Sequence, residues 1–141
     1  RRVEATNMGA NLFTTVVFAP DNENIAYSAT VSGMQRSGTD RGPVPIYVSR
    51  DGGAKWKVAG TCQTCGGAIT MAVQPDDSNV VWAATNNGVQ VSRDGGKTWS
   101  GNLIERYTRN SHSYGIALQP GDPDTILLIF VNWFFYQGFQ N

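Results

Sequence analysis

The octapeptide Ser49-Arg50-Asp51-Gly52-Gly53-Ala54-Lys55-Trp56 returns almost letter for letter as Ser92-Arg93-Asp94-Gly95-Gly96-Lys97-Thr98-Trp99, 43 residues later. Internal repetition at such a period constrains the fold more than any other feature, because each unit must bury its apolar face on a neighbouring unit. A second element recurs three times without gaps: VVFAPDNENIA at 16–26, MAVQPDDSNVV at 71–81 and IALQPGDPDTI at 116–126. Its prolines, Pro20, Pro75 and Pro120, are separated by 55 and 45 residues. The chain therefore reads as a row of small similar units with insertions of variable length.

The local chemistry makes those units sheets. Ile69, Met71 and Val73 alternate with Thr70, Ala72 and Gln74, the period of two that marks a strand, and Tyr114, Ile116 and Leu118 occupy the same places before Pro120. Pro-Asp-Asp-Ser-Asn and Pro-Gly-Asp-Pro-Asp supply turn residues, since Pro presets φ and Asp or Asn tolerates a tight backbone. Second strands are expected at 25–30, 80–85 and 125–131. A third strand precedes each Asp-Gly-Gly turn, and a fourth carries the Trp. The predicted fold is all-β, a β-propeller of four-stranded antiparallel blades. Blade one covers about 11–60 with an insertion at 33–43, blade two about 68–103, and blade three starts near 113. Gly138-Phe139-Gln140 resembles Gly88-Val89-Gln90, so the third unit is expected to be truncated. About two and two-thirds blades are then present, against the 4–8 of a closed propeller, and the chain reads as part of a longer one.

Ser-x-Asp-x-Gly-x-Thr-Trp is the motif of the Asp-box, or bacterial neuraminidase, repeat, and the chain resembles that family of propellers. Ser92, Asp94, Gly96, Thr98 and Trp99 match every fixed position; Ser49, Asp51, Gly53 and Trp56 match in the first copy, with Lys55 in the place of Thr. The resemblance implies a hairpin at the blade periphery. There the carboxylate accepts backbone N–H groups, glycine supplies a positive φ, and Trp packs over the turn. Because the family spans sialidases, xyloglucan-active glycosidases, sortilin-type receptors and a photosystem assembly factor, it implies architecture more than activity. Asp51 and Asp94 are read as structural.

Composition narrows the function classes. Eleven basic residues balance 11 acidic ones, which argues against an electrostatic nucleic-acid binder. His112 is the single histidine and Cys62 and Cys65 the only cysteines, so a multi-histidine or four-cysteine metal site is excluded; no metal and no cofactor is expected. The start at Arg1-Arg2, with neither Met nor an apolar signal core, reads as a mature chain or an excised piece. Ile126 to Tyr136 is the most apolar stretch, but its 11 residues are far short of the roughly 20 a membrane helix needs.

Candidate chemistry lies in the connectors. A sialidase would need an arginine cluster, a Tyr/Glu pair and an Arg-Ile-Pro tripeptide, and the tripeptide does not occur. A xyloglucanase-type enzyme would use two carboxylates across a sugar cleft. Asp21, Asp76, Asp77, Asp122 and Asp124 fall in equivalent turns, whereas Asp40 has no repeat-based explanation and is a ligand-binding candidate. The connector from blade two to blade three clusters Glu105, Arg106, Tyr107, Arg109, His112 and Tyr114. Arg106 and Arg109 suit a carboxylate or phosphate and Tyr107 a sugar or peptide, so Arg106, Tyr107, Arg109 and His112 form the leading binding surface. An ordinary exposed connection is the competing reading. Cys62 and Cys65, in Gly60 to Gly67, read as a short-range disulfide pinning a loop outside the repeated core, with a free thiol pair as the alternative. A disulfide implies an oxidising compartment: secreted, periplasmic or cell-surface.

Two function classes stand on these residues. One is a non-catalytic, extracytoplasmic recognition or scaffolding propeller with a protein or glycan partner, or with the remaining blades of a longer chain. The other is a glycoside hydrolase, sialidase- or xyloglucanase-like, whose catalytic carboxylates lie partly outside this segment.

Overall fold

Alternation of apolar and polar residues delivers strands throughout. A computed structural model of the chain describes residues 12–31, 43–66, 68–104 and 111–132. These contain β1 (Leu12–Ala19), β2 (Asn22–Val31), β3 (Val44–Ser49), β4 (Lys57–Cys62), β5 (Ala68–Gln74), β6 (Asp77–Thr85), β7 (Gly88–Ser92), β8 (Ser111–Gln119) and β9 (Asp122–Asn132), and no helix. Three antiparallel sheets result, ordered β1-β2-β3-β4, β5-β6-β7 and β8-β9. The architecture is that of successive propeller blades.

The inner hairpins are tighter than the turn residues suggest. Ala19 pairs with Asn22, Gln74 with Asp77 and Gln119 with Asp122, so only two residues turn and the second strand starts earlier than at Ile25, Val80 or Thr125. A register irregularity precedes each of these pairs. It absorbs the turn locally, as a bulge does. Asp77 Oδ1 accepts the Asn79 amide at 2.9 Å, spending the Asp inside the strand rather than in a wider loop.

Blade two also departs from expectation, because no fourth strand pairs with β7 among the described residues. Ser100 N and Leu103 N still donate to the Val91 and Val89 carbonyls, both at 2.9 Å. In the return direction, side chains take the place of the backbone: the Val91 amide donates to Ser100 Oγ at 3.0 Å and the Val89 amide to Asn102 Oδ1 at 3.2 Å. The polar groups are satisfied without a regular ladder.

Each sheet buries one face on the next. Ala19, Ile25, Tyr27, Ala29, Ile46 and Val48 of the first sheet meet Met71, Val73, Val81 and Ala83 of the second. The opposite face of the second sheet, Val80, Trp82, Val89 and Val91, receives Ile116, Leu118, Ile126 and Leu128 of the third. Tyr27 and Ile46 are wholly buried. Burial of such a side chain contributes roughly 1.5–3 kcal/mol. Polar contacts lock the first junction: Tyr27 Oη donates to the Ser78 carbonyl at 2.8 Å, and the Ser78 amide donates to Asp21 Oδ2 at 3.1 Å. Gly60 has no room for a side chain, since a Cβ there would meet the Gly96 and Lys97 backbone of the next blade.

The antiparallel order gives the stack two ends. One gathers the 20–21, 75–76 and 120–121 turns with both Asp-Gly-Gly hairpins; the other gathers the connectors that follow β2, β4 and β9 and the 86–87 turn.

Candidate functional site

The two repeated hairpins show what their conserved-looking chemistry does. Ser49 Oγ donates to Asp51 Oδ1 at 2.8 Å and accepts the Gly53 amide at 2.9 Å, while Asp51 Oδ1 accepts the Lys55 amide at 2.8 Å. In the second copy Ser92 Oγ donates to Asp94 Oδ1 and accepts the Gly96 amide, both at 2.8 Å. Asp94 Oδ1 further accepts the Lys97 and Thr98 amides at 3.0 and 2.9 Å, and Thr98 Oγ1 donates to Asp94 Oδ2 at 2.6 Å. Gly53 and Gly96 take φ of 85° and 86°, which a Cβ would disfavour. The indoles close each turn: Trp56 Nε1 donates to the Gly53 carbonyl at 3.0 Å and Trp99 Nε1 to the Gly96 carbonyl at 3.1 Å.

These bonds set the carboxylates' protonation. The Thr98 hydroxyl, then the Thr98 amide and the Ser92 hydroxyl, hold Asp94 down to about 2. Asp51 is also lowered, chiefly by the Lys55 amide and then by the Ser49 hydroxyl. Hydrogen bonding to the ionised form is the cause in both. A carboxyl ionised at every working pH cannot serve as a general acid.

One pair of contacts was not foreseen from the motif. The Gly52 amide donates to the Asn24 carbonyl and the Gly95 amide to the Asn79 carbonyl, each at 2.9 Å. Each hairpin is thereby tied to the inner β-turn of its own blade. The signal in the sequence was the Asn that stands at the same place of two copies of the triple element.

At the opposite end, Cys62 and Cys65 form a disulfide. Its place differs from the loop staple outside the core: Cys62 ends β4, and both sulfurs' residues are fully buried in the cluster between the first two sheets. Asn87 Nδ2 donates to the Thr64 carbonyl at 2.9 Å and Asn86 Nδ2 to the Gly66 carbonyl at 3.4 Å, clamping the connector onto the β6–β7 turn. Beneath it, Thr85 Oγ1 accepts the Asn87 amide at 3.0 Å and lies 2.9 Å from buried Gln90 Oε1. The connector enters the core because the Asn side chains satisfy its carbonyls.

Arg106, Tyr107, Arg109 and Asp40 lie outside the described residues, as do 133–141. His112 pairs with Val131 across β8 and β9, and its side chain too is outside the description. Asp21 and Asp77 are engaged by the Ser78 and Asn79 amides, and Asp122 Oδ2 accepts the Thr125 hydroxyl at 2.6 Å. Among the described residues no cluster of three or more His, Cys, Asp or Glu is placed to hold a metal, and no helix is long and apolar enough to cross a membrane.

Residues 90–100, which hold the second hairpin, match the family model described as BNR/Asp-box repeat. The chain is an Asp-box repeat protein. A xyloglucanase of Paenibacillus sp is 39% identical to this Asp-box chain over 57 residues, 39% of this chain and 6% of that enzyme. Among solved structures, an ancestral GH74 enzyme superposes with a TM-score of 0.64 at 24% identity, over 84% of this chain and 13% of that one. The GH74 enzyme of Niastella koreensis gives 0.59 at 20% identity, over 84% and 19% respectively. These two likenesses establish the fold, and the Asp-box chain spans under a fifth of the length of each of the three relatives.

Proposed function

We propose that these blades are the scaffold of an extracytoplasmic glycan-handling propeller, with a β-glucan of the xyloglucan kind as its partner. The observation that carries the reading is the 39% identity over 57 residues to a xyloglucanase. The described carboxylates support a scaffold role for this segment, since Asp21, Asp51, Asp77, Asp94 and Asp122 all accept hydrogen bonds within turns and hairpins. Binding then falls to the variable end, where the connector bearing Arg106, Tyr107 and Arg109 offers charge and aromatic faces. The Cys62–Cys65 disulfide suits an oxidising compartment.

Native electrophoresis through gels cast with xyloglucan, xylan or no polymer tests the reading. Retardation by xyloglucan alone is expected, and equal mobility in all three gels would overturn the glycan assignment. Hydrolysis by the whole protein is the second reading, favoured by the same relative's name. Release of reducing ends from xyloglucan that disappears in Asp94→Asn, with the circular dichroism spectrum unchanged, would refute the scaffold role of the box.

A further inference from the structure

The sheets stack with a direction, and both terminal faces of the stack are apolar. At the first junction the Tyr27–Ala29 side of one sheet meets the Met71–Val73 side of the next; at the second, the Trp82 side meets Ile116 and Leu118. Repeat equivalence labels the two faces that meet no further sheet. Val16 and Phe18 occupy the places of Met71 and Val73, and they are 56% and 50% exposed. Leu127 and Ile129 occupy the places of Tyr27 and Ala29, and they are 68% and 63% exposed. Register confirms the sides: Val16 lies opposite Ser28 and Phe18 opposite Ala26 on one face, Ala117 opposite Leu127 and Gly115 opposite Ile129 on the other. Phe18 also borders its hairpin, in contact range of the Gly53 position beside Trp56, as Tyr27 and Ile46 border Gly96 across the first junction. One end of the stack is thus of the receiving kind and the other of the inserting kind.

We propose that a second copy of the 141-residue chain seats its Leu127–Ile129 face on the Val16–Phe18 face of the first, continuing the stack head to tail. The argument is continuity with the two internal junctions, which join the same two kinds of face in the same order. Such a contact is heterologous, so it propagates rather than ending at a symmetric pair. Exposed apolar sheet faces of this kind are association sites in folded proteins.

Sedimentation velocity of the 141-residue chain from about 1 to 100 µM tests this, a range that spans micromolar association. The weight-average mass is expected to climb above the 15.3 kDa of one copy as concentration rises. Phe18→Glu and Leu127→Glu each remove one face, so each alone sediments as a single copy. Mixed in equal amounts they retain one complementary pair of faces and give a species of twice the mass and nothing larger. Where either glutamate variant loses its far-UV circular dichroism signal, Val16→Lys and Ile129→Lys take their places in the mixing experiment. A single-copy mass at every concentration, or folded variants that fail to pair when mixed, overturns the proposal.

Discussion

The two Asp boxes differ at one residue that bears on the carboxylate. Thr98 gives Asp94 a hydroxyl donor at 2.6 Å, and Lys55 gives Asp51 only its amide. Replacing Lys55 by Thr is expected to complete the first box and to raise the thermal midpoint by about 2 °C in a calorimetric scan. Thr98→Val should lower the midpoint by a similar amount, about 2–4 °C. Its clearer signature is in acid. Asp94 sits at about 2 against an ordinary 3.8, so its share of stability is complete above 3.8 and is lost as pH falls from there through about 2. Loss of the Thr98 hydroxyl moves the folded value back toward 3.8 and narrows that window. Acid unfolding followed by tryptophan fluorescence should therefore begin at a higher pH in Thr98→Val than in the parent. An unchanged acid midpoint would remove the Thr98 hydroxyl from the account of Asp94.

At the scale of strands and connectors, close approach and covalent closure each make a prediction. Gly60 faces the Gly96 and Lys97 backbone across the first junction. Gly60→Ala should cost about 1–3 kcal/mol, the range of an overpacked site, measured as a shift of the urea midpoint at constant slope. The Cys62–Cys65 closure spans a separation of three residues. The double variant Cys62→Ala/Cys65→Ala should lose about 2 kcal/mol by the loop-closure relation. Equal midpoints for parent and variant under non-reducing conditions would show that the Asn86 and Asn87 clamps alone fix the connector.

Sheets and box hairpins were legible in the sequence because both rest on short-range rules: alternation, paired glycines, and a Ser and Trp at set distances from an Asp. What the sequence withheld was decided across blades. Nothing near Cys62 or Cys65 in the chain says that the pair lies between two sheets; that follows from Asn86 and Asn87, more than 20 residues on, reaching back to it. The missing fourth strand of blade two was hidden for a like reason. Ser100 and Asn102 look like loop residues, and only the register of β7 shows their oxygens standing in for a neighbour's carbonyls. The binding candidates of the connectors were found by composition alone, and Arg106, Tyr107, Arg109 and Asp40 remain outside the described residues.

Considered whole, the stack is joined by nearest-neighbour faces, so its stability should sum over junctions rather than over one shared core. Tyr27→Phe tests this at one junction. It leaves the Ser78 carbonyl without its buried donor and should cost about 1–3 kcal/mol in chemical unfolding. Hydrogen exchange should then rise in β2, β5 and β6 while β8 and β9 keep parental rates; a uniform rise would argue for a single cooperative core.

The two ends of the stack carry this further. At the box end every turn is tied into its own blade by backbone bonds such as Gly52 to Asn24 and Gly95 to Asn79. At the other end the segments between strands differ in length from blade to blade. Substitution and insertion there leave the box-end ties untouched, so the chain can acquire new specificities on one rim while inheriting its assembly from the other.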